Sequence, residues 1–276
     1  MSTSLQISDR QATTVAWGVA FVTLTASIAH AQENADELAK KLSNPIAALI
    51  SVPLQSNFDF GAGADDHGFA YTLNVQPVIP ISISDDWNLI SRTIIPIAYR
   101  DYLPPPDGDV AGLGDITQSL FFSPKTPGAS GIIWGAGPVF LIPSATDDFL
   151  GTGKFGIGPT AVALKQTGPW TVGLLANHIW SVAGEHDRED INQTFLQPFL
   201  SYSLGHGTTI SLNAESSYDW VAKQWTVPIN LGVSQVFKIG DQAMSLQVGG
   251  KYYAEAPEGG PEWGIRTTLT FLFPAN

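Results

Sequence analysis

Apolar and polar side chains alternate with a period of two along most of the chain after residue 44. One run carries apolar residues at every second position, namely Trp225, Val227, Ile229, Leu231 and Val233. Successive side chains of a β-strand point to opposite faces, so this period predicts strands with one apolar and one polar face. The patterned runs extend over about 11 to 15 residues, whereas strands of soluble proteins most often have about five or six. Alternation alone also fits a soluble sandwich, but tilted strands of this length are long enough to cross a bilayer.

Turn-like links divide these runs into about 12 predicted strands. The strands are expected to begin near Pro45, Phe69, Trp87, Gly114, Gly131, Lys154, Trp170, Asn192, Thr208, Lys223, Ala243 and Glu262. Short links alternate with longer acidic ones, as periplasmic turns alternate with outer loops, although the link Ser123–Ser130 is long where a short one is expected. In hydrocarbon every backbone group needs a partner, so a spanning sheet must close on itself. The pattern therefore predicts an all-β protein: an antiparallel transmembrane β-barrel of about 12 strands with a short N-terminal helix.

Aromatic residues near many predicted strand ends agree with two interfacial belts. These residues are Trp87, Tyr99, Tyr102, Trp170, Trp180, Tyr218, Trp220, Trp225, Tyr253, Trp263 and Phe273. Prolines inside the strands argue in the other direction, because proline lacks the N–H that a central strand donates. These prolines are Pro77, Pro96, Pro138, Pro159, Pro198 and Pro228. Bulges account for some of them, and the pattern alone does not explain all six.

Residues 1–31 have the order of a secretory signal peptide. Arg10 supplies a positive charge, residues 13–28 are largely apolar, and Ala29-His30-Ala31 gives the small-x-small pattern that precedes a cleavage site. An anchoring helix is the alternative, but the apolar stretch is short and polar residues follow it at once. We therefore predict a signal peptide over residues 1–31.

Residues 32–44 predict a short periplasmic helix. Leu38 and Leu42 lie one helical turn apart among charged residues, and the Asn44-Pro45 step ends the pattern. The outer-membrane barrel is then expected to cover residues 45–276. Whether the helix plugs the periplasmic mouth or only tethers the chain is left open by the sequence.

Composition excludes several classes of protein. The formal net charge of −12 argues against nucleic-acid binding, because phosphate recognition needs clustered Lys and Arg. The chain has no Cys, so disulfides and thiolate metal sites are excluded. The mean hydropathy of +0.08 is too high for a disordered polypeptide.

Four segments carry a resemblance to a known family: Leu38–Pro53, Gly112–Pro124, Trp134–Asp147 and Leu150–Gly184. They are similar to the family of phenol meta-pathway degradation proteins, and the resemblance extends over most of the chain after the signal peptide. The resemblance implies an outer-membrane β-barrel of the transporter type. It says little about cargo, and it carries no catalytic residue over to this chain.

Two motifs suggest enzymatic sites, but the sequence around each lacks the structural context that such a site requires. Residues 151–156 satisfy G-x-G-x-x-G, but no helical pattern follows them, so we interpret them as a flexible loop that leads into a strand. His178 and Ser181 lie three residues apart on a predicted strand, which places them on opposite faces. We therefore predict no enzymatic activity and no catalytic, cofactor-binding or metal-binding residue.

Residues on the face opposite the apolar one are candidates for lining the lumen. The predicted lumen-lining residues are Arg92, Asp115, Asn213, Glu215, Asn230, Lys251 and Arg266, and Gln55, Asn57, Asn74, Gln76 and Gln247 share their parity. Arg266 and Lys251 are expected near Glu215, either as a selectivity filter or as a structural network. The acidic links either bind divalent cations beside lipopolysaccharide phosphates or only keep the loops polar.

These features predict a protein of the bacterial outer membrane that lets small molecules, including aromatic or hydrophobic ones, diffuse passively in or out. Its expected partners are outer-membrane lipid and lipopolysaccharide, the small-molecule cargo and the outer-membrane assembly machinery, with no nucleic acid. A non-conducting structural or surface-interaction barrel is the alternative, and a lipid hydrolase is a more distant one. A 12-stranded barrel is narrower than the 16- to 18-stranded porins, so we expect the lumen to be selective or partly plugged.

Overall fold

A computed structural model describes residues 35–101 and 108–273 of the 276-residue chain. The predicted signal peptide and Tyr102 lie outside these residues. Helix α1 covers residues 35–42, inside the range predicted for a helix. No helix among the described residues is both long and apolar enough to span a bilayer.

Sixteen strand segments follow the helix in chain order. They are β1 Ile50–Ala62, β2 Gly68–Val75, β3 Val78–Ser82, β4 Trp87–Arg100, β5 Val110–Leu113, β6 Ile116–Pro124, β7 Ile132–Ile142, β8 Lys154–Thr167, β9 Trp170–Gly184, β10 Asn192–Gly205, β11 Thr208–Ala214, β12 Ser216–Asp219, β13 Gln224–Thr226, β14 Pro228–Ile239, β15 Gln242–Tyr253 and β16 Trp263–Phe273. Each segment pairs with its neighbours in antiparallel fashion.

These segments form a closed barrel of 12 antiparallel strands. Four of the strands are interrupted once each, as β2/β3, β5/β6, β11/β12 and β13/β14. The barrel closes where β1 pairs with β16, from Ile50 opposite Phe273 to Phe60 opposite Trp263. The predicted fold and strand number are confirmed, and ten of the twelve expected strand starts lie within one residue of the observed ones.

Prolines explain two of the interruptions without any change of register. Pro77 separates β2 from β3, yet both segments keep the same alignment with β1 and with β4. Pro228 begins β14 and lies opposite Glu215, in the gap between β11 and β12. The Glu215 N–H donates to the Pro228 carbonyl at 3.0 Å. Because the strand continues on the same course, each proline removes a donor and leaves the wall in place.

The interruption between β5 and β6 is a bulge. Ile94 of β4 lies opposite Thr117, whereas Ile97 lies opposite Leu113, so β5/β6 contains one extra residue between these two pairs. The Gly114 N–H donates to the Pro96 carbonyl inside this bulge. A bulge at this point lets the ladder accommodate Pro96.

Links at one end of the barrel are short, as the sequence predicts. Three of them have two residues, at 168–169, 206–207 and 240–241. His206 and Gly207 both adopt positive φ, 57° and 75°, as a tight hairpin turn requires. Longer links at 143–153, 185–191 and 254–262 occupy the other end, and the link 125–131 is the expected exception among the short ones. Short turns and both ends of the barrel sequence mark the periplasmic side of such barrels.

The outer surface is apolar between two zones of aromatic residues. Ile229, Leu231 and Val233 of β14 are 39%, 57% and 50% exposed, in agreement with lipid-facing positions. Trp170 packs on Tyr202 near the short turns, and Tyr218 packs on Trp225 near the long loops. Tyr253 corrects the predicted belt: its ring lies beside buried Lys251 inside the barrel, and the neighbouring Tyr252 is exposed instead.

The interior has an apolar wall and a polar wall. The apolar wall consists of Ile90, Phe121, Val162, Leu164 and Leu175 of β4, β6, β8 and β9, and Ile46 packs into it. The polar wall is formed by inward residues of β1, β10, β11 and β14 to β16, among them Gln55, Asn57, Ser211, Glu215, Gln247 and Arg266. The apolar wall was not expected, because the alternation predicts a polar face toward the lumen.

The N-terminal segment, residues 35–49, lies across the periplasmic mouth and reaches the apolar wall through Ile46. Asp36 accepts a hydrogen bond from the Gly207 N–H, and Gln166 donates to the Lys40 carbonyl at 2.9 Å. Helix α1 is therefore attached to the turn 206–207 and to the periplasmic end of β8. Leu38 and Leu42 pack with Leu49 and Leu272. The segment therefore occupies part of the periplasmic half of the barrel.

Candidate functional site

Three cavities follow one another from the long loops to the periplasmic mouth. The outer cavity of about 490 Å³ lies among residues of the loops, including Thr152, Arg188 and Asp219. The middle cavity has about 250 Å³ and the inner cavity about 270 Å³. The inner cavity is bounded on one side by the N-terminal segment.

Neighbouring cavities share parts of their walls. Leu141, Ile191 and Gln193 line both the outer and the middle cavity. The residues common to the middle and inner cavities are Gln55, Gln76, Arg92, Gln197 and Glu215. These five residues surround the constriction between the two cavities, close to the interruptions of the ladder at Pro77 and Pro228.

Arg266 and Glu215 form a bidentate ion pair at this constriction. Arg266 Nη1 and Nη2 donate to the two Glu215 oxygens at 2.8 and 2.7 Å, and Arg266 Nε donates to Asn57 Oδ1 at 2.8 Å. Two parallel bonds of this kind fix the geometry of both side chains. Both oxygens of Glu215 are thereby occupied. The proximity of Arg266 to Glu215 that we expected from the sequence is present.

Lys251 pairs with a different carboxylate from the one expected. Its Nζ lies 2.8 and 3.2 Å from the two oxygens of Asp59, and both residues are 7% exposed. Asp59 was not among the residues predicted to line the lumen. The residue continues β1 with the same parity as Gln55 and Asn57, and that parity is the sequence signal that could have identified it.

Arg92 has no carboxylate partner among the described residues. Its Nη2 donates to Gln76 Oε1 at 3.1 Å, and none of the four ion pairs in the described part of the chain includes it. Glu215 lines the same two cavities but is bonded to Arg266. The middle of the barrel therefore holds two neutralised pairs and one guanidinium without a counter-charge.

The remaining predicted lumen residues lie in two different places. Asn230 donates to Asn213 at 2.9 Å on adjacent strands, and Asn213 also lines the inner cavity. Asp115 is held away from the constriction: it accepts hydrogen bonds from Ala145 N at 3.2 Å and from Thr152 N and Oγ1 at 2.6 and 2.7 Å. Asp115 thus fastens the β7–β8 loop at the outer mouth.

The outer loops are bound to each other by charged side chains. Lys154 Nζ lies 3.2 Å from Asp190, and the Ser181 hydroxyl donates to the same carboxylate at 3.1 Å. The Lys154 ammonium, and then the Ser181 hydroxyl, lower the pKa of Asp190 below its ordinary value. Arg188 donates to the backbone carbonyls of Asp148, at 2.7 Å, and Gly151. These contacts draw the β7–β8 and β9–β10 loops together over the outer cavity.

His178 and Ser181 do not form a catalytic pair. His178 Nδ1 lies 2.7 Å from the Thr194 hydroxyl, which also accepts from Trp220 Nε1 at 2.8 Å, whereas Ser181 bonds to Asp190. Asn177 and Ile179 face the middle cavity, so His178 between them faces outward. The two residues are thus directed to opposite sides of the wall, as their spacing predicts.

Comparisons with known proteins support the fold. No family model and no curated protein matches the sequence. The structure is similar to an outer-membrane channel from Pseudomonas putida F1, with a TM-score of 0.63 and 16% identity over 81% of this chain and 93% of that one. It is also similar to the NanC porin, with a TM-score of 0.51 and 9% identity over 80% of this chain and 98% of that one.

The fold is that of an outer-membrane β-barrel. The closed wall, the apolar exterior and these similar structures place the chain in the bacterial outer membrane, in contact with its lipids. This agrees with the barrel that the family resemblance implied. The link with phenol degradation stays a prediction.

Proposed function

We propose that this protein is a passive channel for small molecules in the bacterial outer membrane. The observation that carries the proposal is the series of three cavities that share walls from the outer loops to the periplasmic mouth. Solutes diffuse along this series, and no energy source is needed. The interior side chains then select among them by size and charge.

Two features narrow the path and favour small solutes. The middle cavity has a volume of only about 250 Å³, which limits the size of what it holds. The N-terminal segment occupies part of the periplasmic half. Apolar side chains of Ile94, Leu175 and Phe195 beside polar ones in the middle cavity support passage of molecules with an apolar or aromatic part.

A planar-bilayer measurement tests the proposal. Folded protein, verified by its heat-dependent mobility in gels, is expected to give discrete current steps in KCl and to let small solutes swell liposomes. Gln193→Trp narrows the boundary between the outer and middle cavities and should reduce the current. Ile210→Trp changes an exposed position on the outer surface and serves as the control. Equal reduction by both substitutions, or no current and no swelling with folded protein, would contradict a channel through the lumen.

The docked N-terminal segment supports a second candidate, a barrel that does not conduct. Its attachments to Gly207 and Gln166 and the insertion of Ile46 are those of a plug that stays in place. The same bilayer measurement separates the two candidates, because a permanently plugged barrel gives neither current nor swelling at any voltage.

A further inference from the structure

Arg92 differs from the other two cations inside the barrel, Lys251 and Arg266, because no carboxylate pairs with it among the described residues. Among the described residues, the cations Lys251 and Arg266 are neutralised by Asp59 and Glu215 at 2.7 to 2.8 Å. Arg92 faces the middle and inner cavities with a single hydrogen bond, to Gln76. A partly buried guanidinium has five N–H donors, so most of its hydrogen-bonding capacity is directed at whatever occupies the cavity.

The hydrogen-bond network around Arg92 has too few acceptors. Arg92 and Arg266 flank the amides of Gln55 and Gln76, and the Gln76 amide nitrogen donates to Gln55 Oε1. In this orientation Gln55 turns its own NH₂ toward Arg266. Rotating the Gln55 amide lets its oxygen accept from Arg266 Nε at 2.7 Å but brings its nitrogen against the nitrogen of Gln76. Neither orientation of the Gln55 amide gives suitable partners to both Arg266 and Gln76. An additional anionic acceptor would therefore complete the network.

The middle cavity, which Arg92 lines, also has apolar side chains in its wall. Ile94, Leu141, Leu175, Ile179, Ile191 and Phe195 line it together with Asn, Gln, Ser and Thr side chains. An apolar body can be buried against these residues while a charged end meets Arg92. The volume of about 250 Å³ admits a small body only.

We propose that the middle cavity binds small monocarboxylates with an apolar body and that Arg92 receives the carboxylate. The planar guanidinium fork matches a carboxylate with two parallel hydrogen bonds. The single uncompensated positive charge suits a monoanion, and the nearby Glu215 carboxylate disfavours a second negative charge on the ligand. This inference rests on the proposed channel function, and it names the class of solute that the channel prefers.

Binding to the detergent-solubilised protein tests the site without requiring conduction. Benzoate is the probe, benzamide is its uncharged counterpart of the same shape, and acetate lacks the apolar body. Equilibrium dialysis should show benzoate bound at least about tenfold more tightly than benzamide, since a charged hydrogen bond contributes at least that factor. Benzoate should also bind more tightly than acetate, because acetate has no ring to bury against the apolar side chains.

Substitutions then assign the binding to Arg92. Arg92→Gln should weaken benzoate binding about tenfold or more and leave benzamide binding unchanged, and Arg92→Lys should give an intermediate loss because the charge stays while the fork is removed. Lys165→Gln removes a positive charge from an exposed position of β8 and is the control. If Arg92→Gln does not fold, the comparison of Arg92→Lys with Lys165→Gln decides the assignment.

Failure of this inference is distinguishable from failure of the channel proposal. Equal affinity for benzoate and benzamide, or an unchanged benzoate affinity in both Arg92 variants, overturns the carboxylate site even if KCl currents are normal. Absence of KCl current overturns the channel proposal, and the dialysis result still decides whether the site exists. In a conducting barrel, a benzoate gradient should also give a reversal potential that Arg92→Gln shifts toward cation preference.

Discussion

The two walls of the lumen differ in the interactions that stabilise them and in their expected roles. The apolar wall on β4, β6, β8 and β9 is completed by Ile46 from the N-terminal segment and contains side chains with almost no exposure. The polar wall on β1, β10, β11 and β14 to β16 carries paired charges and faces open cavities. A single barrel thus has a protein core in one part of its interior and leaves the remaining part as the surface of a passage. This division predicts that stability and selectivity respond to different substitutions.

The largest effect on stability is expected in the apolar wall. Phe121→Ala removes a fully buried ring and should lower the free energy of unfolding by about 4 kcal/mol. Ser119→Ala, two residues away on the same strand and also facing the interior, is the control and should change it by less than about 1 kcal/mol. Denaturant titration of the barrel in lipid vesicles measures both. A cost for Ser119→Ala equal to that of Phe121→Ala would remove the distinction between core and passage.

Selectivity should change most in the polar wall. Glu215→Gln leaves Arg266, like Arg92, without a carboxylate partner and should shift the reversal potential in a KCl gradient toward chloride. Loss of one partner of this partly buried pair also costs about 3 kcal/mol of stability. The double variant Glu215→Gln with Arg266→Gln restores the charge balance, and its reversal potential should return toward that of the wild type. Unchanged potentials in both variants would exclude this pair from the selectivity of the channel.

A substitution at the contact between the N-terminal segment and the apolar wall should change conductance. Ile46→Asp places a carboxylate among Ile90, Phe121 and Leu164, where an unpaired charge costs several kcal/mol, so the segment should leave its position. We expect a severalfold larger single-channel conductance. Ile46→Val keeps the contact at a cost of about 1 kcal/mol and should conduct like the wild type. Equal conductance in all three proteins would mean that the segment does not limit flow.

The smallest effect is expected outside both walls, at Asp190 in the β9–β10 loop. Lys154 lowers the pKa of this carboxyl, so its stabilising contact is present above the ordinary Asp value of about 3.9 and is lost as the pH falls through the lowered value. Hydrogen exchange of residues 185–191 should therefore quicken only in strongly acidic solution. Asp190→Asn should abolish this pH dependence without changing the two walls of the lumen. Faster hydrogen exchange of the wild-type loop already near neutral pH would contradict the prediction.

The sequence predicted the wall of the barrel well because lipid imposes a simple rule on it. Every second residue of β14 must be apolar toward lipid, and turns such as His206-Gly207 need residues that tolerate positive φ. Both signals are local, so the strand starts could be read within one residue in most cases. The prolines were an objection at the level of the sequence, and the preserved register across Pro77 and Pro228 removes that objection for those two.

The interior was predicted less well because its contacts are distant in the chain. Val162 and Leu164 lie next to other apolar residues and gave no indication that they face inward. Their packing with Ile46 joins residues more than 100 positions apart, which no local period reveals. Asp59 was missed for a related reason: the pairing of Asp59 with Lys251 crosses the β1–β16 seam and becomes visible only once the barrel is closed.

The position of Ile46 has a consequence for the order in which the molecule assembles. Ile46 precedes β1 by only a few residues, and β1 joins β16 from the far end of the chain. β1 and β16 are the most distant paired strands in the sequence, so their pairing has the highest loop-closure cost in the barrel wall. We therefore expect them to pair late in folding. Until β1 and β16 pair, residues 35–49 have no closed lumen in which to dock. We therefore expect docking of the N-terminal segment and closure of the barrel to occur together, as the last step of folding.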